Sequence, residues 1–188
     1  MKKLALTLMF LLTPNLAGAV VPIIDANVLY YSDNMTVSSA TSSYTRTLWD
    51  IMFGMNLDKP GFWVLGWNYA SSTLTENPGT QTSLTVTDMG PKLLVFLNKE
   101  HNWLIGFTYN LITKADYQSG ATTLELRGSS MKIDAGYMTA FSTSFFWGAR
   151  INYYKPSFNE EIQNTTLTSS SDSRTIIYPS FSLLYRFD

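Results

Sequence analysis

Three segments of this chain share an aromatic pattern that becomes regular only on an extended strand. FWVLGWNYA (62–70), NWLIGFTYN (102–110) and FWGARINYY (146–154) each carry a Tyr six positions after a Trp. Side chains of a strand alternate between its two faces, so an even spacing puts both rings on one face, ~20 Å apart. The residues between them on that face are apolar, whereas the other face carries Gly, Asn, Thr and Arg. Each segment therefore predicts a strand with one apolar face that ends in aromatic rings.

The same alternation recurs along the chain, and no helical periodicity is apparent beyond the N-terminal segment. The eight predicted strands are 24–31, 44–57, 62–70, 84–97, 103–113, 123–140, 146–156 and 174–187. Short turns at 58–61, 98–102 and 141–145 alternate with longer polar segments, which we expect to be loops, at 32–43, 71–83, 114–122 and 157–173. Alternating short and long connections are typical of outer-membrane barrels. Pro91 and Pro179 lie inside strands and predict a bulge or a broken ladder near each.

The N-terminus has the three parts of a secretory signal. Lys2 and Lys3 precede the apolar run 5–12, and Ala17-Gly18-Ala19 matches an A-x-A cleavage site. The apolar run is shorter than the ~20 residues that a membrane-spanning helix needs. We therefore expect residues 1–19 to be a signal peptide and residues 20–188 to form one domain.

Composition narrows the class of protein further. Hydrophobic residues make up 45% of the chain and charged residues only 14%, which is too apolar for disorder and poor in charge for a soluble surface. The 13 basic and 14 acidic residues give no basic patch for nucleic acid. Cysteine is absent, so disulfides and thiol chemistry are excluded. No later segment is long enough for a transmembrane helix, and a chain without one can span a membrane only as a closed barrel.

The two faces of the predicted strands differ in charge. The apolar face falls on even residues in the first strand and on odd residues in the other seven. The opposite face carries a predicted lumen charge cluster: Asp50, Asp88, Lys92, Lys132, Asp134, Arg150 and Arg186. Asn27, Asn68, Asn110 and Asn152 share that face. Opposite charges kept from water should pair, so we expect a salt-bridged polar lumen, with an ion-selective pore as the alternative.

The apolar face predicts contact with lipid. Trp and Tyr favour membrane interfaces, where an apolar ring and a polar tip are both accommodated. We expect the three Trp residues to mark the inner interface and the three Tyr residues the outer one. These interface aromatics are Trp63, Tyr69, Trp103, Tyr109, Trp147 and Tyr153. Two soluble alternatives remain: a sandwich with the aromatic face as its core, and a lipocalin-like barrel with an apolar lumen.

Catalytic patterns are weak. The single His, His101, lies in the short turn NKEHN, where a solvated His is expected more often than a catalytic base. Glu160 and Glu161 are adjacent acids in a Ser/Thr-rich segment, and such acids are usually solvated. No metal-ligand spacing, phosphate loop or nucleotide fingerprint is present. We therefore predict no enzyme activity, no catalytic residue, no cofactor and no metal.

The chain resembles the small outer-membrane β-barrels of Gram-negative bacteria. The resemblance is carried by the signal ending at Ala19, by MGPKLLVFL (89–97) and by the last strand, YPSFSLLYRF (178–187). It is similar to the transmembrane domain of outer membrane protein A and to the outer-membrane β-barrel domain family. In that family the last strand ends in an aromatic residue, which the barrel assembly machinery recognises; here Asp188 follows Phe187.

Together these features predict an all-β, eight-stranded, antiparallel, up-and-down transmembrane β-barrel in the Gram-negative outer membrane. The expected function is structural or surface-interacting, with Ser/Thr-rich loops displayed outside. A narrow channel for ions or small solutes is the alternative, and a lipid-modifying enzyme is a weaker one. The expected partners are outer-membrane lipid and lipopolysaccharide, the barrel assembly machinery during insertion and a surface ligand of the loops, with no nucleic acid. We expect a monomer.

Overall fold

The computed structural model describes residues 21–37, 40–58, 60–77, 81–163 and 166–187. The predicted signal peptide and Asp188 lie outside these ranges. The strands are β1 (Pro22–Val37), β2 (Ala40–Asn56), β3 (Trp63–Asn77), β4 (Thr82–Phe96), β5 (Trp103–Ser119), β6 (Thr122–Ala140), β7 (Phe145–Gln163), β8 (Thr166–Ser169) and β9 (Ile176–Arg186). Within the described ranges, no helix has the length and hydropathy to cross a membrane.

Eight of these strands close into an antiparallel ring. Each strand from β1 to β7 pairs with the next along the chain, β7 pairs with β9, and β9 returns to β1. The short strand β8 pairs only with the end of β7. The prediction of an all-β, eight-stranded, up-and-down antiparallel barrel is therefore confirmed.

The predicted long loops are largely wrong, because most of them continue the strands. Pairing of β1 with β2 extends to Val37 and Ala40, and pairing of β5 with β6 extends to Ser119 and Thr122. These segments are rich in Ser and Thr, and a continued ladder satisfies backbone groups that a loop would leave to water. We call this end of the barrel, where the strands join as long hairpins, the hairpin end. The opposite end, with the turns after β2, β4 and β6, is the short-turn end.

Alternation is regular except at irregularities in the ladders. Pairing of β5 with β6 shifts between Asn110 and Thr113, and the side chains of Leu111 and Ile112 both face outward. Beyond this bulge the inward parity of β5 changes from even to odd. A register shift between β4 and β5 spans Pro91, as expected. Around Pro179 the pairing with β7 is regular, whereas the ladder with β1 ends at Phe181.

The apolar face points out of the barrel on every strand of the ring. Typical exposed fractions are 60% for Phe53, 49% for Trp67 and 58% for Ile151. The charged face points inward and is buried. Both soluble alternatives are therefore wrong. The sandwich would bury the aromatic face in its core, and the lipocalin-like barrel would have an apolar lumen, whereas here the aromatic face lies outside and the charged face lies inside.

Candidate functional site

An apolar plug fills the lumen at the short-turn end. Its members occupy inward positions near the short-turn ends of their strands and are at most 7% exposed. They are Ile23, Met52, Val64, Leu94, Phe96, Leu104, Met138, Phe146 and Leu184. The expectation of a polar lumen is thus wrong at this end, where the inward parity carries aliphatic and aromatic residues.

A layer of paired charges crosses the lumen above the plug. We call its members the ion layer: Asp25, Asp50, Lys92, Lys132, Asp134 and Arg150. Every side chain in it is at most 5% exposed. Three carboxylates face two ammonium groups and one guanidinium, so the formal charges cancel.

Asp25 connects two cations within this layer. Lys92 Nζ lies 2.7 Å from Asp25 Oδ2. Arg150 donates from Nη1 to Asp25 Oδ2 at 3.0 Å and from Nη2 to Asp25 Oδ1, which makes a bidentate pair. Bidentate guanidinium–carboxylate pairs are among the stronger hydrogen-bonded contacts and fix the orientation of both groups.

Asp50 forms the second centre of the layer. It accepts from Lys132 Nζ at 2.6 Å, from Lys92 Nζ at 3.3 Å and from the Asn27 amide at 3.0 Å. Arg150 Nη1 also donates to Asp134 Oδ1 at 3.1 Å. The six charges therefore form one connected network, in which each charge has at least one opposite partner.

Five of the seven predicted lumen charges meet in the ion layer, and two do not. Asp88 lies nearer the hairpin end and accepts hydrogen bonds from the hydroxyls of Thr113 (2.6 Å), Ser130 (2.8 Å) and Tyr154 (2.6 Å). No cation lies within ion-pair distance of it among the described residues. Arg186 lies at the short-turn end and makes no ion pair with any described residue.

Sequence reasoning missed Asp25, although the pattern contained the necessary information. The apolar face of β1 falls on even residues, so Asp25 must point into the lumen with Asn27. It is fully buried there. Applying the strand parity to every charged residue would have identified it.

The ion layer leaves little free space. A cavity of about 10 Å³ lies between Asp50, Lys132, Asp88 and the rings of Tyr154 and Tyr178. This is about the volume that one water molecule needs. With the plug below it and buried ion pairs beside it, the lumen is closed at this level.

His101 contributes to the closure of the short-turn end. Its Nε2 lies 2.9 Å from the carbonyl oxygen of Pro60, in the neighbouring turn. Its ring stacks on Phe62 with centroids 5.5 Å apart and meets Phe96 edge-on at 5.0 Å. The ring thus joins two turns over the plug. Within the described ranges, no group of three or more His, Cys, Asp or Glu residues is arranged to hold a metal ion.

All six predicted interface aromatics lie on the outer wall of the barrel. Trp63, Trp103 and Trp147 stand at or near the starts of their strands, beside the short turns. However, Trp49 contacts Tyr69 toward the hairpin end, with ring centroids 5.4 Å apart. The order predicted for the three Trp–Tyr pairs therefore does not extend to every aromatic residue of the wall, since Tyr137 meets Trp103 edge-on at 5.0 Å beside the short turns.

The fold and lumen place the chain among closed antiparallel β-barrels. A comparison with solved structures finds the translocator domain of the autotransporter NalP from Neisseria meningitidis, with 10% identity and a TM-score of 0.39. The match covers 97% of this chain and 67% of that one. No protein-family model matches, and no curated protein sequence matches.

Proposed function

We propose that this protein is an integral outer-membrane β-barrel with a sealed lumen and a structural or surface-interaction role. The short-turn end faces the periplasm and the long hairpins are displayed outside. The observation that carries the proposal is the apolar outer wall with aromatic residues toward both ends. We also propose that the barrel is a monomer without enzyme activity. The barrel assembly machinery would insert it, and lipid and lipopolysaccharide would surround it.

The outer wall supports a lipid environment. Between Trp103 and Tyr109 of β5, the outward residues are Ile105 and Phe107, which are 43% and 45% exposed. Comparable apolar residues cover the other strands of the ring. A continuous apolar surface of this extent in water would promote aggregation, whereas in a bilayer it matches the surrounding hydrocarbon.

The filling of the lumen favours a sealed barrel over a channel. An ion crossing the ion layer would have to displace pairs such as Lys92–Asp25 and Lys132–Asp50, whose members are buried on all sides. It would then meet the apolar plug. The interior of an eight-stranded barrel is just wide enough for side chains to fill, and here both layers fill it.

A charge placed on the outer wall tests the membrane assignment. Phe107→Lys should destabilise the folded barrel in lipid vesicles by roughly 2–4 kcal/mol, the cost of a lysine near the bilayer midplane. Thr123→Lys on the exposed β5–β6 hairpin is the matched control and should change stability little. The readout is the urea midpoint, with folded and boiled samples distinguished by their migration in a detergent gel. Equal midpoints for both variants, together with recovery in the periplasmic soluble fraction, would contradict the proposal.

Conductance tests the sealed lumen separately. Refolded protein in a planar bilayer should give no reproducible unitary openings. Defined openings that change in amplitude in Lys92→Met would instead support the narrow channel. That result would leave the membrane assignment intact, because it depends on the outer wall alone.

A further inference from the structure

One further buried basic side chain lies outside the ion layer, toward the hairpin end. Arg46 on β2 is only 8% exposed and lines a cavity of about 60 Å³. Its Nε has no hydrogen-bond partner, and the side chain makes no ion pair with any described residue. A buried guanidinium without an acid is costly, unlike Arg150, which has two carboxylate partners.

A second arginine lines the same cavity. Arg174 precedes β9, and its backbone N–H donates to the carbonyl oxygen of Pro156 at 3.2 Å, which holds the segment against β7. Arg174 also makes no ion pair with any described residue. Arg174 is exposed to solvent, which screens its repulsion of Arg46. Both guanidinium groups nevertheless line one cavity, and an anion between them would be attracted by both.

Apart from Ser72, the remaining wall of the cavity is mainly apolar. Its main contributors are Leu74, Leu84, Val86, Leu126, Phe158 and Ile176. The ring of Tyr154 forms part of the wall toward the ion layer, and its hydroxyl is held by Asp88. Leu74, Leu84 and Arg174 also line an adjoining cavity of about 230 Å³, whose lining includes one acid, Glu76. Together the two cavities come close to the lower limit of roughly 300 Å³ for small-molecule sites.

We propose that this site binds a small amphiphilic anion, a short-chain carboxylate or phosphate. The anionic group lies between Arg46 and Arg174, and the apolar tail lies against Leu84 and its neighbours. The acyl chains of a full-length phospholipid exceed the available volume, so a membrane lipid could place only its anionic headgroup in the site. This site goes beyond the proposed membrane role and does not depend on whether the lumen conducts.

The closing seam of the barrel lies beside this site. β1 pairs with β9 only over Ile23–Val28, while the rest of β1 pairs with β2 alone. Beyond Val28, Leu29 and Ile176 pack against the cluster of Leu48, Tyr154 and Tyr178. The seam is therefore held here by side chains without a described backbone ladder.

Binding can be measured by equilibrium dialysis of radiolabelled octanoate against the protein in phosphatidylcholine nanodiscs, with empty nanodiscs subtracted. Unlabelled octanoate should compete at least tenfold better than acetate, which lacks the tail, and 1-octanol, which lacks the charge. Arg46→Gln should weaken binding at least tenfold, whereas the matched control Arg127→Gln, an exposed arginine on β6, should not. Equal competition by 1-octanol, or a folded Arg46→Gln variant that keeps its affinity, would overturn the proposal.

A second variant covers the case in which Arg46→Gln fails to fold. Leu84→Trp fills the cavity without altering charge and should also abolish octanoate binding; unchanged affinity in this folded variant would refute the site. The source of the natural anion is tested in nanodiscs that contain phosphatidylglycerol. Weaker octanoate binding there supports a lipid headgroup as occupant, and unchanged binding supports a free anion from solution.

Discussion

Replacing Asp25 by Asn should destabilise the barrel strongly, because it leaves the ion layer with one uncompensated positive charge. At 2.7 Å and an effective dielectric constant of ~20, the attraction between Asp25 and Lys92 alone is about 6 kcal/mol. Removing the carboxylate also removes its own desolvation cost and its repulsion with Asp50, so the net loss is smaller. Breaking a buried pair in this way typically costs about 3–5 kcal/mol, and we expect Asp25→Asn to fall in that range.

The companion variant Lys92→Met separates the effect of charge from that of packing. Combined with Asp25→Asn, it restores a neutral layer in which Asp50 keeps Lys132 at 2.6 Å and Asp134 keeps Arg150 at 3.1 Å. The free energy of unfolding of the double variant should therefore fall by about 2–3 kcal/mol less than the sum of the decreases in the two single variants. This difference is the coupling energy expected for residues in one network.

The assay is equilibrium urea unfolding in lipid vesicles, followed by tryptophan fluorescence, with the free energy of unfolding taken by linear extrapolation. The matched control is Asp116→Asn, whose partner Lys114 lies 3.3 Å away with both side chains well exposed. It should cost less than about 1 kcal/mol. Our account of the lumen would be refuted if Asp25→Asn unfolded within 1 kcal/mol of the native chain, or if the losses in the double variant were simply additive.

Three further outcomes are expected. Gly106→Ala should cost about 1–3 kcal/mol in the same urea assay, because a Cβ there would lie 2.7 Å from the Asp134 carboxyl carbon. The hydrogen bond from the Arg127 side chain lowers the pKa of Glu125 on the exposed hairpin. The Glu125 carboxylate should therefore contribute fully to the stability of the fold above the ordinary carboxyl pKa of 4.5, and this contribution should be lost as pH falls through the lowered pKa. The stability difference between the native chain and Glu125→Gln, under about 1 kcal/mol at neutral pH, should accordingly shrink in acid, and a constant difference would contradict this. His101 has a φ of +56°, a backbone conformation that Asn tolerates better than Ala. The His101→Ala variant should therefore be about 1–2 kcal/mol less stable than His101→Asn in the urea assay. Equal stabilities of the two variants would show that this φ imposes no strain.

The number of strands and the direction of their faces followed from the sequence alone. A period of two is a local property, so residues such as Trp67 and Phe107 revealed their outward face without any knowledge of their neighbours. The same reasoning predicted that Asp50 and Arg150 are buried. Local sequence also predicted the three short turns: those at 58–61 and 98–102 contain Pro, Gly or Asn, and the turn at 141–145 is rich in Ser and Thr.

The extent of the strands was harder to predict. Segments such as 71–83 contain Ser, Thr and Asn, which suit loops and strands alike, and the ladder that extends them depends on the partner strand. The bulge at Leu111 and Ile112 likewise arises from the register between strands. Propensity averaged along one segment does not contain this information.

The sequence by itself determined a closed barrel with an apolar exterior and charges inside. Only the tertiary structure decided which charges meet, because that depends on strand stagger and on distances across the lumen. Asp25 and Arg150 are 125 residues apart in the chain, yet the ring places them in one bidentate pair. The same closure left Arg46 buried without an acid, a difference between two inward-facing arginines that no local pattern distinguishes.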